Sequence, residues 1–375
     1  MQGRISQADI ARGTGLSRTT VSSLIAEMRE AGLVLDVDTK PGPARGGRPG
    51  VQLVLHDPPH VVVGIDFGHS HIGVAVADLG HNLLAERQYE LDVNRQAVQA
   101  LDGAARMFDD VLSRLGVDRR RVLGAGIGIP GPVDRARGTA GSATILPGWV
   151  GMSIASEMQE RLGVPVQVEN DANLGALAEL TWGGGRDCSN FAYIKAATGI
   201  GAGIIIDGEL LRGATGTAGE IGHTTLDERG ALCYCGNRGC LETLASGPAI
   251  IQLVGPVSGE YLSLGRIVEL AASGTDLRCR RAVADAGREI GVSVAGLCNL
   301  INPQRVIVGG LLSRAGDVLL RPLRESIRRH AVQAAAETVE VRAAVFVERA
   351  ELLGTVALAL RGSHDVSSAA TIIDR

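Results

Sequence analysis

The sequence predicts an α/β protein in which a short winged helix-turn-helix precedes two related lobes. Residues 1 to about 57 are locally helical and end in two β-prone stretches around a loop that cannot be helical. From Val61 a unit of strand, glycine loop and strand appears, and it recurs about 129 positions later. The composition agrees, because 51 glycines and 45% hydrophobic residues in 375 positions suit many short strands joined by tight turns. That length exceeds one average domain and predicts two or three compact units.

In the first unit Ser6 is placed to cap a helix through Ala8, Ile10 and Ala11, which Gly13 to Gly15 break. Ser17 caps a second helix carrying Val21, Leu24, Ile25 and Met28 on one face, and Gly32 ends it. Strands at 33–37 and 51–55 flank the loop Lys40 to Gly50, the outline of a wing. Ala11, Gly15, Val21 and Leu24 supply the small contact, the turn and the apolar anchors of a helix-turn-helix. Ser17, Arg18, Thr19, Ser22 and Ser23 then lie on the outer side of the second helix, free to meet phosphates or base edges of double-stranded DNA. Arg45 and Arg48 on the wing suit phosphate contact or a narrow minor groove. A winged helix normally begins with a further helix, whereas Met1–Ile5 alone precede this one, so a shortened module with weakened DNA binding is expected.

In the lobes, Val61–Asp66, a small polar loop to His71 and Ile72–Ala77 form one hairpin. Phe191–Lys195, a loop through Gly203 and Ile204–Ile206 form the other. Ligand is expected in the cleft between the two. Between the copies, a helix over Met152–Leu162 precedes a buried strand, Val164–Val168, ending in Glu169-Asn170-Asp171. In α/β sheets such a polar cluster at a strand's C-terminal end is where ligand contacts fall. Ala350–Leu360 reads as an amphipathic helix returning to the first lobe, and Ser363–Arg375 as a loose tail. The divisions expected are 1–57, 58–180, 181–349 and 350–375.

Residues 1–50 carry a charge of about +2, against about -6 for the remainder of a chain whose net charge is -4. Without an apolar run of about 20 residues or a signal-peptide core, the chain is expected in the cytoplasm and not in a membrane. Six cysteines in such a chain argue against a disulfide framework. His223, Cys233, Cys235 and Cys240, spaced H-x9-C-x-C-x4-C with Gly236 and Gly239 between, instead fit a closed tetrahedral zinc site of the structural kind. Cys188, Cys279 and Cys298 lack such partners and read as core residues. Glu220 and Glu242 stand beside the ligands, where a pinned loop would place them to meet sugar hydroxyls.

Gly219-Glu220-Ile221-Gly222-His223 and the cysteine segment through Leu241-Glu242 resemble the signature of the ROK family, named for repressors, open reading frames and kinases. Gly126 to Asp134, Leu146-Pro147-Gly148-Trp149, Glu169-Asn170-Asp171-Ala172-Asn173 and Val306 to Gly310 join it, so the resemblance spans about 61–360. It implies an actin-like ATPase fold of hexokinase type, assembled as dimers or tetramers. It also implies that Asn170, Asp171, Glu220, His223, Glu242 and Gly131 bind sugar, with Asp171 the base in a kinase. Read alone, Asn170-Asp171 is a helix cap.

The same resemblance assigns nucleotide phosphates, with ATP and Mg as cofactors of a kinase, to Asp66, Gly68, Ser70, Thr198, Gly199, Gly309 and Gly310. Here the sequence departs from the family. The kinase loop D-x-G-G-T-K is Asp66-Phe67-Gly68-His69-Ser70-His71, with histidines in place of the second glycine and the lysine. A side chain obstructs backbone approach, and a mostly neutral imidazole replaces a fixed charge. The expectation is therefore a catalytically silent sensor: a DNA-binding regulator, most simply a repressor of carbohydrate genes, gated by a sugar or sugar phosphate. The alternatives are an ATP-dependent sugar kinase with an attached module, and a scaffold using the helical module for protein contacts.

Overall fold

A computed structural model describes residues 5–30, 34–37, 52–55, 60–134, 138–140, 146–256 and 259–373. The chain opens with a two-residue strand, β1 (Ile5–Ser6), and Ser6 then caps α1 (Gln7–Thr14). Its hydroxyl accepts from the Asp9 amide while Asp9 reaches back to the Ser6 backbone, a reciprocal capping box. Gly15, at φ 72°, ends the helix in the left-handed conformation that glycine adopts at least cost. Ser17 accepts from the Thr20 amide at the start of α2 (Arg18–Glu30). Val21 and Ile25 are buried, together with Val34 of β2 (Val34–Val37) and Leu53 of β3 (Gln52–Leu55). Leu24, expected on that face, is 44% exposed, because Val21 and Ile25 already point at the small sheet and residue 24 turns past its edge. The sheet order is β1-β3-β2, and its β1 edge had no counterpart in the sequence reading.

The first lobe is a five-stranded sheet, and four of its strands come in quick succession. They are β4 (Val61–Phe67), β5 (His71–Asp78), β6 (Leu83–Glu90) and, after α3 (Ala97–Leu115), β7 (Val122–Ile129). A small hairpin, β8 (Val133–Asp134) with β9 (Thr139–Ala140), and α4 (Ile154–Leu162) lead to β10 (Val166–Asn170). The order is β10-β7-β4-β5-β6, antiparallel across β4-β5-β6 and parallel across β4-β7-β10. Next, α5 (Asp171–Thr181) leads into the second lobe, which opens with β11 (Phe191–Ala196), β12 (Ile200–Ile206) and β13 (Glu209–Leu211). Helices α6 (Leu241–Ala245), α7 (Gly247–Val254), α8 (Leu264–Ser273) and α9 (Leu277–Ile301) follow. The lobe closes with β14 (Arg305–Gly309), α10 (Asp317–His330), α11 (Gln333–Thr338) and β15 (Glu340–Ala343).

The second sheet repeats the first strand for strand, in the order β13-β12-β11-β14-β15 with the same pattern of directions. Asp66 on β4 and Lys195 on β11 occupy matching registers. Each pairs with a glycine of the antiparallel neighbour, Gly73 or Gly201, and with one of the parallel neighbour, Gly128 or Gly309. The loop expected to run through Gly203 is shorter, because β12 starts at Ile200 and pairs with β11 from Ala196 onward.

The last helix, α12 (Ala350–Ile373), packs on β4, β7, β5 and α5. Glycines permit the close crossing: a methyl group on Gly126 would lie 2.1 Å from the Thr355 carbonyl, and one on Gly354 2.1 Å from that of Leu174. Helix continues to Ile373, where a loose tail was expected from Ser363. That segment contains no glycine or proline beyond Gly362 to interrupt the backbone ladder. The buried Cys188, Cys279 and Cys298 are core residues, and burial pushes the Cys298 thiol up to about 11.

Candidate ligand cleft and metal site

Strand β10 ends at Asn170 and α5 begins at Asp171, so the sheet delivers both side chains to the mouth of the cleft. The Asn170 side-chain oxygen accepts from the Ala172 amide at 2.8 Å, and its nitrogen donates to the Gly131 carbonyl at 2.8 Å. Asn170 is thus a helix cap and a cleft residue at once. Glu169, buried behind it, accepts from Asn173 at 2.9 Å and from Arg212 of the second lobe at 2.7 Å.

A cavity of about 380 Å³ lies between the lobes, within the range of about 300–1,000 Å³ common for small-molecule sites. Asn170, Asp171, Gly131, Glu220, His223 and Glu242 line it together, with Thr198 and Gly199 from the second glycine loop. Burial, with Asp171 and Glu242 close by, raises the Glu220 carboxyl to about 7. Glu242 lines the cavity, and its Oε2 is buried without a hydrogen-bond partner among the described residues, 3.8 Å from His223 Nδ1.

Sequence reasoning missed Lys195, His69, Asn94 and Tyr234, which also line the cavity. Lys195 Nζ lies 2.7 Å from Asp171 Oδ2 and 2.9 Å from Oε1 of Glu351, in the first turn of α12. Burial works against the charge of this lysine, but the two carboxylates more than offset it and keep the ammonium protonated. Its signal was available, since a lysine stands next to last in a strand with no other charged residue, at the position equivalent to Asp66. His69 and Asn94 hydrogen-bond at 2.8 Å, and Trp149 braces this loop by donating to the Val93 carbonyl at 2.8 Å.

The other nucleotide candidates are not brought into the cavity. The His71 ring covers Gly68, where a methyl group would fall 2.2 Å from Cε1, and its Nε2 lies 3.0 Å from Asp66 Oδ2. That hydrogen bond raises the imidazole pKa, against the opposing effect of burial. Ser70 is exposed. Gly309 and Gly310 are buried, and a methyl group on Gly309 would sit 2.2 Å from the Tyr193 hydroxyl.

Adjoining the cavity, one ligand atom each from His223, Cys233, Cys235 and Cys240 converge to within 4.8 Å of one another. Cys235 and Cys240 sulfurs are 3.7 Å apart, and Cys233 Sγ is 3.6 Å from His223 Nδ1. The turn is held by the Cys233 amide donating to the Asn237 carbonyl at 2.7 Å and that of Gly236 to Cys233 at 3.0 Å. Three sulfurs and an imidazole at these separations fit a four-coordinate metal ion. With Nδ1 turned to that ion, Nε2 faces the cleft, 3.2 Å from the Tyr234 hydroxyl.

On the N-terminal module Ser17, Arg18, Thr19, Ser22 and Ser23 are all exposed, with Ser17 spent partly on its cap. Arg45 and Arg48 lie outside the described residues.

Fold and site together define a two-lobed, sugar-kinase-like body behind a winged helix-turn-helix. The ROK family model matches residues 62–362, and a winged helix-turn-helix DNA-binding model matches 2–34. The chain belongs to the ROK family, in the form in which a DNA-binding module precedes the family's body. It is 31% identical over 369 residues to the xylose repressor of Caldicellulosiruptor bescii, covering 95% of this chain and 92% of that one. Among solved structures, a ROK family transcriptional regulator homologous to the Escherichia coli MLC protein matches with a TM-score of 0.81 and 27% identity, over 96% of this chain and 92% of that one. A ROK family glucokinase from Streptomyces griseus in complex with glucose and AMPPNP matches with a TM-score of 0.69 and 30% identity, over 80% and 100% respectively. Among the described residues no helix is long and apolar enough to cross a membrane.

Proposed function

We propose that this chain is a cytoplasmic, sugar-responsive DNA-binding regulator, a repressor of carbohydrate-metabolism genes, that recognises sugar without phosphorylating it. The observation that carries this reading is that both ends of a phosphoryl-transfer site are engaged by the chain's own side chains. His71 covers Gly68 in the first glycine loop, and Lys195 holds the Asp171 carboxylate that a kinase would use as base. The ion pair at 2.7 Å occupies Asp171 Oδ2, and the carboxylate keeps lone pairs with which to accept a hydroxyl hydrogen. Asn170, Asp171, Glu220, His223 and Glu242, with the Gly131 backbone, supply the donors and acceptors a polyol needs.

The metal is zinc in a structural role. Tetrahedral Zn–S bonds of about 2.3 Å put sulfurs about 3.8 Å apart, and a Zn–N bond of about 2.05 Å puts nitrogen about 3.6 Å from sulfur. The observed 3.7 and 3.6 Å fit both. Bound zinc would pin the loop joining Glu220 to Glu242 and fix His223 as an Nε2 donor toward sugar. Cys235→Ser is expected to lose zinc, read by metal analysis, and sugar response together; retention of both refutes the coupling.

In the regulator, residues 1–57 bind operator DNA through Arg18, Thr19, Ser22 and Ser23, with Ser17 and the wing residues Arg45 and Arg48 contributing phosphate or minor-groove contacts. The lobes, 58–180 and 181–349, close on sugar, and the segment from 350 ties them together. In a homodimer or homotetramer, closure alters the separation of two modules that must meet half-sites about 34–36 Å apart. The test is enrichment of genomic fragments by the full chain, followed by titration with sugars. Specific fragments whose affinity a sugar changes support the reading; no enriched fragment overturns it. The second reading, an ATP-dependent sugar kinase, is favoured by one observation: Thr198 and Gly199 still line the cavity.

A further inference from the structure

Both glycine loops that a phosphate would need are bordered by acid. In the first, the imidazole over Gly68 is bonded to Asp66 at 3.0 Å. In the second, Oε1 of Glu242 lies 2.7 Å from where a methyl group on Gly199 would stand, so a carboxylate already leans on that turn. Between them the Lys195 ammonium, which alone among the described cavity-lining residues carries a full-time positive charge, is shared by Asp171 and Glu351 at 2.7 and 2.9 Å. Glu220 adds another carboxylate to the same cavity. Recognition of a phosphate calls for donors with positive charge to spare. Here every cation is matched or outnumbered by carboxylates, and an added anion would be repelled by the carboxylates left in excess. The hydroxyls of an uncharged ring are hydrogen-bond donors, which is what unpartnered carboxylate oxygens such as Glu242 Oε2 lack.

We propose that the ligand of this cleft is an unphosphorylated sugar, and that the acidic rim of Glu220, Glu242 and the Lys195-centred triad excludes sugar phosphates. The inference rests on the sugar-sensing reading above and narrows it. Lys195 acts here as a specificity residue by being occupied: its charge serves the protein and is withheld from a ligand.

The test is isothermal titration of the zinc-loaded full chain at pH 8. Glucose and N-acetylglucosamine are each paired with the counterpart phosphorylated on the terminal hydroxyl, which closes the same ring, and xylose is titrated in its free form. The expected result is that a free sugar binds and its phosphate binds at least about a hundredfold more weakly, the scale of one uncompensated charge contact at intermediate dielectric. Glu220→Gln should narrow the sugar-to-phosphate ratio roughly tenfold, an effect that mere loss of a sugar contact would not produce. Should that variant fail to fold, raising the salt concentration on the wild type should narrow the same ratio by screening. A phosphate that binds as tightly as its free sugar overturns this inference and leaves the sensor standing. No binding by any member in either form overturns the sensor reading itself.

Discussion

In the first lobe the chain turns from β4 to β5 through Gly68, His69 and Ser70, and the His71 ring closes over the glycine. In the second it turns from β11 to β12 through Ala197, Thr198 and Gly199, and the loop stays open to the cavity. The two turns share one pattern, since the sheets repeat and Asp66 and Lys195 occupy equivalent registers. The backbone pattern is therefore the same in both lobes while the side chains differ. One turn was filled from within, and the other kept its concavity but gained a carboxylate neighbour. The two turns thus differ in what stands over the glycine, while the strands on either side pair in the same way.

The largest effect that would sharpen this comparison comes from the equivalent charged pair. Lys195→Met leaves Asp171 and Glu351 facing one another with no cation and is expected to cost about 3–5 kcal/mol in denaturant unfolding. Adding Glu351→Gln should restore more than half of that loss. Asp66→Asn abandons only an imidazole, which can become neutral, and should cost roughly 1 kcal/mol. Equal costs at the two positions would break the comparison.

A smaller difference lies in the turns themselves. Gly199→Leu drives a side chain onto Glu242, and titration should register sugar affinity lowered by more than about a hundredfold, or about 2.7 kcal/mol. Gly68→Ala only displaces His71 and should cost about 1–2 kcal/mol of stability while leaving sugar affinity within about threefold. Loss of sugar binding in the Gly68 variant would mean that the first turn still takes part.

Smallest is the pH dependence of the His71–Asp66 bond. The folded-state pKa of His71 is raised, so its contribution is fully present below the unfolded value of about 6.5 and disappears as pH rises through the folded value. The stability gap between wild type and His71→Gln should therefore shrink by about 0.5–1 kcal/mol between pH 6 and pH 9. A gap that widens with pH contradicts the assignment.

What the sequence made legible was whatever lies in local spacing. The Ser6 and Ser17 caps, the paired hairpins and the metal-ligand spacing each depend on residues a few positions apart, so their physics can be read along the chain. Lys195 was harder, because its meaning comes from Asp171 across the helix start and Glu351 more than 150 positions later. Leu24 misled because it stands at the margin of the helical stripe, while Val21, Ile25 and Met28 along its middle already cover the small core. The C-terminal helix was underestimated since Ser363 onward lacks apolar periodicity, although it also lacks any strong helix breaker.

The central claim is that the cleft holds sugar and performs no transfer, and one measurement addresses it directly. Zinc-loaded protein is incubated with a sugar that titration has shown to bind, together with ATP and Mg²⁺, and the sugar is recovered and weighed by mass spectrometry. The account predicts sugar returned unphosphorylated, with nucleotide consumption no faster than in buffer. Multiple turnovers to sugar phosphate, abolished by Asp171→Ala, would contradict it.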